Sequence, residues 1–216
     1  MTHSARMLVL CTTRVGENAL VVHTITDLWG RRSFLVNIGK KTSTALLQPM
    51  NVLDGEVVEN PKSDLWRLKA LHATYPLAGI RCDVRKNTMT LFISEVLYRT
   101  IREGGCEEGL LDWCEKSILT LDALQSDFPN YHLRWLLEFC GALGFLPSGA
   151  DLLPFAGERL RELEKLLSLD FAQCLMYPLT GVVRNELAGI LLDYIGFHTE
   201  TRPHIRSLAV LRELYA

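Results

Sequence analysis

The pattern of apolar and polar positions divides the 216-residue chain into two textures. From residue 7 to about residue 80 the apolar residues come in short, β-rich runs: MLVLCTT, ENALVVHTIT and SFLVNIG. Polar turns at Arg14–Gly16 and Asp27–Arg32 separate them. A fourth run lies in ALLQPMNVLDGEVVEN, where Pro49 precedes the strand and Asp54-Gly55 marks a turn or bulge inside it. DLWRLKALHATYPL supplies a fifth, although its apolar spacing also suits a helix. Four or five short strands in so little chain predict a small closed barrel, because an open sheet of that size leaves exposed edges.

From about Arg81 the period changes. NTMTLFISEVLYRTIREGG places Leu91, Ile93, Val96, Leu97 and Ile101 along one side of a helix, with Gly104-Gly105 as its stop. CEEGLLDWCEKSILTLDALQ and PNYHLRWLLEFCGALGF repeat the pattern, the second ending at the turn signal LPSG. GERLRELEKLLS reads as a short amphipathic helix with Glu158, Glu162 and Lys165 toward water. VVRNELAGILLDYIGFHT and HIRSLAVLRELY complete six helical segments. The expected fold class is α+β: a β-barrel domain over residues 1–80, then an all-α helical domain over residues 81–216. No stretch approaches eighteen uninterrupted apolar residues, so no membrane partner is expected.

Charge changes this picture by being unevenly shared. The chain as a whole carries −2. Residues 1–81 hold ten Lys/Arg against six Asp/Glu, giving +4, and the remainder holds thirteen against nineteen, giving −6. Such asymmetry points to an anionic partner for the first half. Its cations concentrate in GRRSFLVNIGKKTSTALLQP, with Arg31 and Arg32 where a strand begins and Lys40 and Lys41 where it ends. The strand between them spans on the order of 25 Å, comparable to several nucleotides of extended backbone. Nearby aromatics are sparse, only Trp29 and Phe34, which favours backbone tracking over sequence readout. Composition leaves two readings open here, a solvated rim and the footprint of a polyanion.

Other chemistry is poorly supported. A phosphate loop needs glycine at the position of Phe34 and Ser or Thr at that of Lys41. There is no G-x-S-x-G elbow, and no two of the six histidines stand at i, i+4 around a glutamate. An enzyme is therefore disfavoured. The six cysteines form no C-x-x-C pair and no zinc-ribbon spacing, which suits reduced, buried thiols in a cytoplasmic protein. The opening MTHSARMLVLCTTR has too short an apolar run for a cleavable signal. A second candidate site is Arg134 beside Trp135 on an apolar helix. At the lip of a groove this pair suits a short acidic-hydrophobic peptide; alternatively Trp135 is core and Arg134 snorkels to water.

The order of motifs resembles a known family. VLCTTRVGENALVVHTIT, a Gly-Arg turn and a basic segment ending in ALLQPMNVL are similar to the N-terminal domain of RecO, the bacterial recombination mediator and DNA repair protein. HLRWLLEFCGALGFLPS resembles that family's central helix, and FHTETRPHIRSLAVLREL its C-terminal signature. The likeness covers nearly the whole chain and is weakest at residues 105–127 and 150–180. It implies an OB-fold joined to a helical domain, and a non-enzymatic, nucleoid-associated bacterial protein. It further implies binding of single- and double-stranded DNA, annealing of complementary strands, contact with the acidic tail of the single-strand binding protein SSB, and loading of RecA together with RecR. By the same resemblance Arg31, Arg32, Lys40 and Lys41 match the basic segment, and Arg134, with Trp135, the site that holds the SSB tail. Many relatives carry a four-cysteine zinc module after the central helix. Here Cys174 stands alone there with Cys140 upstream, so neither a zinc finger nor any other cofactor is expected. A protein-interaction adaptor whose barrel never meets nucleic acid is the alternative.

Overall fold

The alternating runs of the first half become five strands in a computed structural model that describes residues 1–39, 43–126 and 128–215. They are β1 (Thr2–Arg14), β2 (Ala19–Thr26), β3 (Gly30–Asn37), β4 (Val52–Val58) and β5 (Trp66–Ala73). The order β1-β2-β3-β5-β4 closes on itself, and β3 and β5 run parallel while the other neighbours are antiparallel. This is the OB-fold order. The long β1 pairs with β4 through its first half and with β2 through its second, which lets one strand serve both sides of the closure.

The ambiguous fifth run is thus a strand. Pairing decides this, since Leu68 enters the barrel core between Trp66, against Phe34, and Arg67 and Lys69, which are exposed. The irregularity expected at Asp54-Gly55 is present at that level of the barrel, but the extra residue belongs to β5. Asp54 pairs with His72 and Glu56 with Lys69, so Ala70 and Leu71 together oppose Gly55. Ala70 takes a positive φ of 50° there.

The barrel core is built from Ala5, Met7, Val9, Val22, Phe34, Val36, Leu53, Val57 and Leu68. Leu8, Leu10, Ile25, Met50 and Val52 lie on the outside of the barrel and join the core of the helical half. Both faces of β1 are therefore buried over Met7–Leu10, and a bulge between Val9 and Cys11 bends the strand against the helices.

The helices are α1 (Ala78–Cys82), α2 (Val84–Thr100), α3 (Leu110–Ala123), α4 (Tyr131–Ala142), α5 (Gly149–Ala156), α6 (Leu160–Ser168), α7 (Phe171–Met176), α8 (Gly181–His198) and α9 (Ser207–Leu214). All six expected segments are helical. α2 starts at Asp83, whose side chain accepts from the Arg85 amide at 2.8 Å. It packs on β1 and α9 and is buried around most of its girth. Its inner stripe is Met89, Phe92, Ile93, Val96 and Leu97; Leu91, expected there, is instead exposed. Buried Thr88 and Thr100 return their hydroxyls to the carbonyls of Val84 and Val96, at 2.9 and 2.8 Å, so neither hydroxyl is stranded. On α6, Lys165 is exposed and Glu162 is half-buried against Arg159 at 2.9 Å.

Buried polar side chains hold the far end of the helical half. Asn130 donates to the carbonyls of Cys174 and Tyr177 at 3.0 and 2.7 Å. Its Oδ1 accepts from Nε of Arg184 at 2.9 Å, and Arg184 also donates to the carbonyls of Leu179 and Tyr215. Cys114, Cys140 and Cys174 are buried free thiols; burial pushes Cys140 up to about 12 and Cys174 to about 11. Among the described residues no three His, Cys, Asp or Glu side chains gather as a metal-ligand group, and no helix is long and apolar enough to cross a membrane.

Candidate nucleic-acid and peptide interfaces

Strand geometry separates the two arginines at the start of β3. Arg32 shares its side of the strand with Phe34 and Val36, and Arg31 lies on the other side with Ser33 and Leu35. Arg31 turns to the helical half. Its guanidinium donates to the Ile101 carbonyl and lies 4.6 Å from the centroid of the Tyr98 ring. Its backbone is clasped by the loop after α2: the Arg31 amide donates to Gly105 and the Gly104 amide to the Arg31 carbonyl, each at 2.8 Å. Arg32 sits at the barrel end, with Cζ 3.6 Å from the Trp66 centroid and Nη2 donating to the Asp64 carbonyl at 3.3 Å. Lys40 and Lys41 lie outside the described residues.

The remaining barrel cations divide in the same way. Arg6 bridges to Asp112 at 2.6 Å and Glu115 at 3.3 Å on α3. Arg81 donates to the Pro76 carbonyl and to Asn51. These two, with Arg31, belong to the junction between the halves. Arg14 braces the β1–β2 turn through the carbonyls of Gly16 and Glu17. Lys62, Arg67 and Lys69 are exposed on the β4–β5 loop and on β5. Part of the first half's positive charge thus answers the acidic second half, while Arg14, Lys62, Arg67 and Lys69 are exposed.

The aromatic surroundings differ from the expectation. Phe34 is fully buried in the barrel core and offers no surface. Trp66, distant in sequence, is brought beside Arg32 by the parallel β3–β5 pairing, in which Phe34 stands opposite Trp66. Trp29 meets Trp66 edge-on at 5.5 Å. No local spacing marks this cluster, because a pairing of strands more than thirty residues apart creates it.

The second candidate is a groove of about 440 Å³ between α3, α4 and the start of α7. Trp113, Tyr131, Trp135 and Phe171 line it, with Lys116 and Glu138 among its polar residues. Trp135 is only 1 % exposed and forms the floor, stacked on Phe139 at 4.9 Å with Trp113 at 5.4 Å. Its Nε1 donates to Ser117 Oγ at 3.3 Å, and Tyr131 Oη donates to the Ser117 carbonyl at 2.5 Å. Burial raises the Tyr131 phenol, keeping it a neutral donor. Arg134 stands beside the groove. Its Nε meets Glu138 at 2.6 Å and its Nη1 donates to the Leu169 carbonyl at 3.0 Å, which neutralises the groove's carboxylate. Trp135 is core, as one of the two readings had it, and it also floors a groove, while Arg134 turns to Glu138 and the Leu169 carbonyl and does not snorkel to water. Lys116 and the aromatic wall lay outside the sequence reading, since they come from three helices that close only in the fold.

No family model matches the chain. It is similar along its length to curated proteins that share one description. DNA repair protein RecO of Phocaeicola vulgatus is 28% identical over 234 residues, covering 97% of each chain. DNA repair protein RecO of Bacteroides fragilis is 27% identical over 234 residues, covering 96% of this chain and 97% of its own. DNA repair protein RecO of Flavobacterium psychrophilum is 29% identical over 239 residues, covering 100% of both.

Proposed function

Because the chain belongs to the RecO family of DNA repair proteins, we propose that it is a non-enzymatic DNA-binding recombination mediator acting in the bacterial cytoplasm at the nucleoid. The observation that carries this reading is an OB barrel with Lys62, Arg67 and Lys69 exposed on and beside β5 and Arg32 half-buried at the neighbouring end of β3. Lys40 and Lys41 follow β3 in sequence and extend the basic set. These groups neutralise phosphates of single- and double-stranded DNA, lowering the repulsion between complementary strands and so promoting annealing. Arg31 contributes to this surface by holding β3 against α2.

The groove over Trp135 takes the acidic-hydrophobic tail of SSB. Its aromatic wall buries the apolar side chains, while Lys116 in the lining meets a carboxylate and Arg134, beside the groove, offsets the charge of Glu138. Holding that tail raises the local concentration of the protein on covered single strands, where with RecR it helps to load RecA. The test is binding of labelled single-stranded DNA across a salt series. A steep fall in affinity with salt, shallower after Arg32, Lys40 and Lys41 are changed to Ala, is expected. Affinity unchanged by the triple substitution would remove these three residues from the interface, and absence of single-strand binding by the wild type would leave only a protein-interaction adaptor.

A further inference from the structure

The barrel end that carries Arg32 has more order than an electrostatic rim requires. Arg32 lies over the Trp66 indole at 3.6 Å, van der Waals contact, and its Nη2 is tied to the Asp64 carbonyl. Trp29 abuts Trp66 edge-on, with interplanar angle 86°, and His3 meets Trp29 at 5.7 Å. Below them Phe34 seals the barrel core. Trp29, Arg32 and Trp66 are all half-buried, so each keeps part of its surface open. The nearby Glu59 carboxylate is engaged by His3 at 3.0 Å and the Met1 amino group at 3.9 Å. Lys62 and Arg67 are exposed on the adjoining loop and strand.

A guanidinium free in water binds phosphate through its edge. One held over an indole has its face presented and one donor already used, which makes it a stacking surface first and a phosphate ligand second. We infer that Arg32, backed by Trp66 and flanked by Trp29, is a stacking platform for one unpaired base of a single strand. The inference rests on the DNA-binding reading of the barrel and sharpens it: the sugar-phosphate on either side of that base runs toward Lys62 and Arg67. Every base has a π-face, so the platform is tolerant of sequence. A duplex, whose bases are already stacked on one another, gains nothing from it.

The experiment compares a dT oligonucleotide with an abasic oligonucleotide of equal length and charge, at one fixed salt concentration, against the full chain. The dT strand is expected to bind about tenfold more tightly. Arg32→Lys keeps the charge and removes the planar face, and is expected to abolish the difference between the dT and abasic strands. Equal binding of the dT and abasic strands by the wild type overturns the platform and leaves DNA binding standing. A dT preference that survives Arg32→Lys also overturns the assignment to this residue. Absence of binding to any strand overturns both the platform and the DNA-binding reading beneath it.

Discussion

Consecutive residues of a strand face opposite ways, and at the start of β3 that alternation gives Arg31 and Arg32 different surroundings. Arg31→Ala removes a donor from the Ile101 carbonyl and a cation from the Tyr98 ring, and should cost about 1–2 kcal/mol of stability. Arg32→Ala should change stability by less than about 1 kcal/mol and instead weaken single-strand binding. Thermal melts of the two variants beside binding measurements at one salt concentration check this, and equal losses of stability would contradict it. His132, at the start of α4, is fully buried edge-on to Phe92, and burial lowers it to about 3. Its folded value lies below its unfolded one, so the unfolded chain binds the proton first. Stability should then fall as the pH drops below about 6.5, by up to about 1.4 kcal/mol per pH unit. Chemical denaturation of the wild type and of His132→Phe at pH 7 and pH 5 should show a smaller acid loss in the variant. At this scale the basic segment and the Arg134–Trp135 pair were legible as residue types. What Arg31 touches was not, because its partners Tyr98 and Ile101 are some seventy residues away.

Elements were legible where their period ran long enough. The strands from MLVLCTT to GEVV and the six apolar-periodic helices all form. The short helices α1, α5 and α7 gave too few turns for a period. Their signals are local: Ser148 with Asp151 and Asp170 with Gln173 are reciprocal capping boxes, visible only to a reader looking for caps. Asp170→Ala should cost about 1 kcal/mol by releasing the Gln173 amide at the start of α7, measurable by urea denaturation. The clasp between β3 and the α2–α3 loop depends on Gly30, which has a φ of 60° and whose Cβ, if it had one, would lie 2.1 Å from the Gly105 carbonyl oxygen. Gly30→Ala should therefore destabilise by roughly 2–3 kcal/mol, through both the left-handed backbone and that clash. A melting temperature within a degree of the wild type would show that the loop moves aside without cost.

For the whole molecule, the opposed charges of the two halves have two destinations. Arg6 with Asp112 and Glu115 joins the halves, while Lys62, Arg67 and Lys69 remain exposed to solvent. The net charge of the chain could reveal neither, since the two halves nearly cancel. Burial of Leu8, Leu10, Ile25, Met50 and Val52 in the helical core makes the barrel an incomplete unit by itself. Residues 1–76 expressed alone should expose that apolar face and bind a hydrophobic dye or aggregate, whereas the full chain should do neither. A soluble, cooperatively melting fragment would show that the shared core is dispensable. With the middle of β1, Met7–Leu10, sealed on both faces, its amides can meet solvent only when both halves open together. Hydrogen exchange along Met7–Leu10 should thus report the slowest, global opening event, and DNA on the barrel or a peptide in the groove should each slow it by the same linkage, although neither ligand touches that strand.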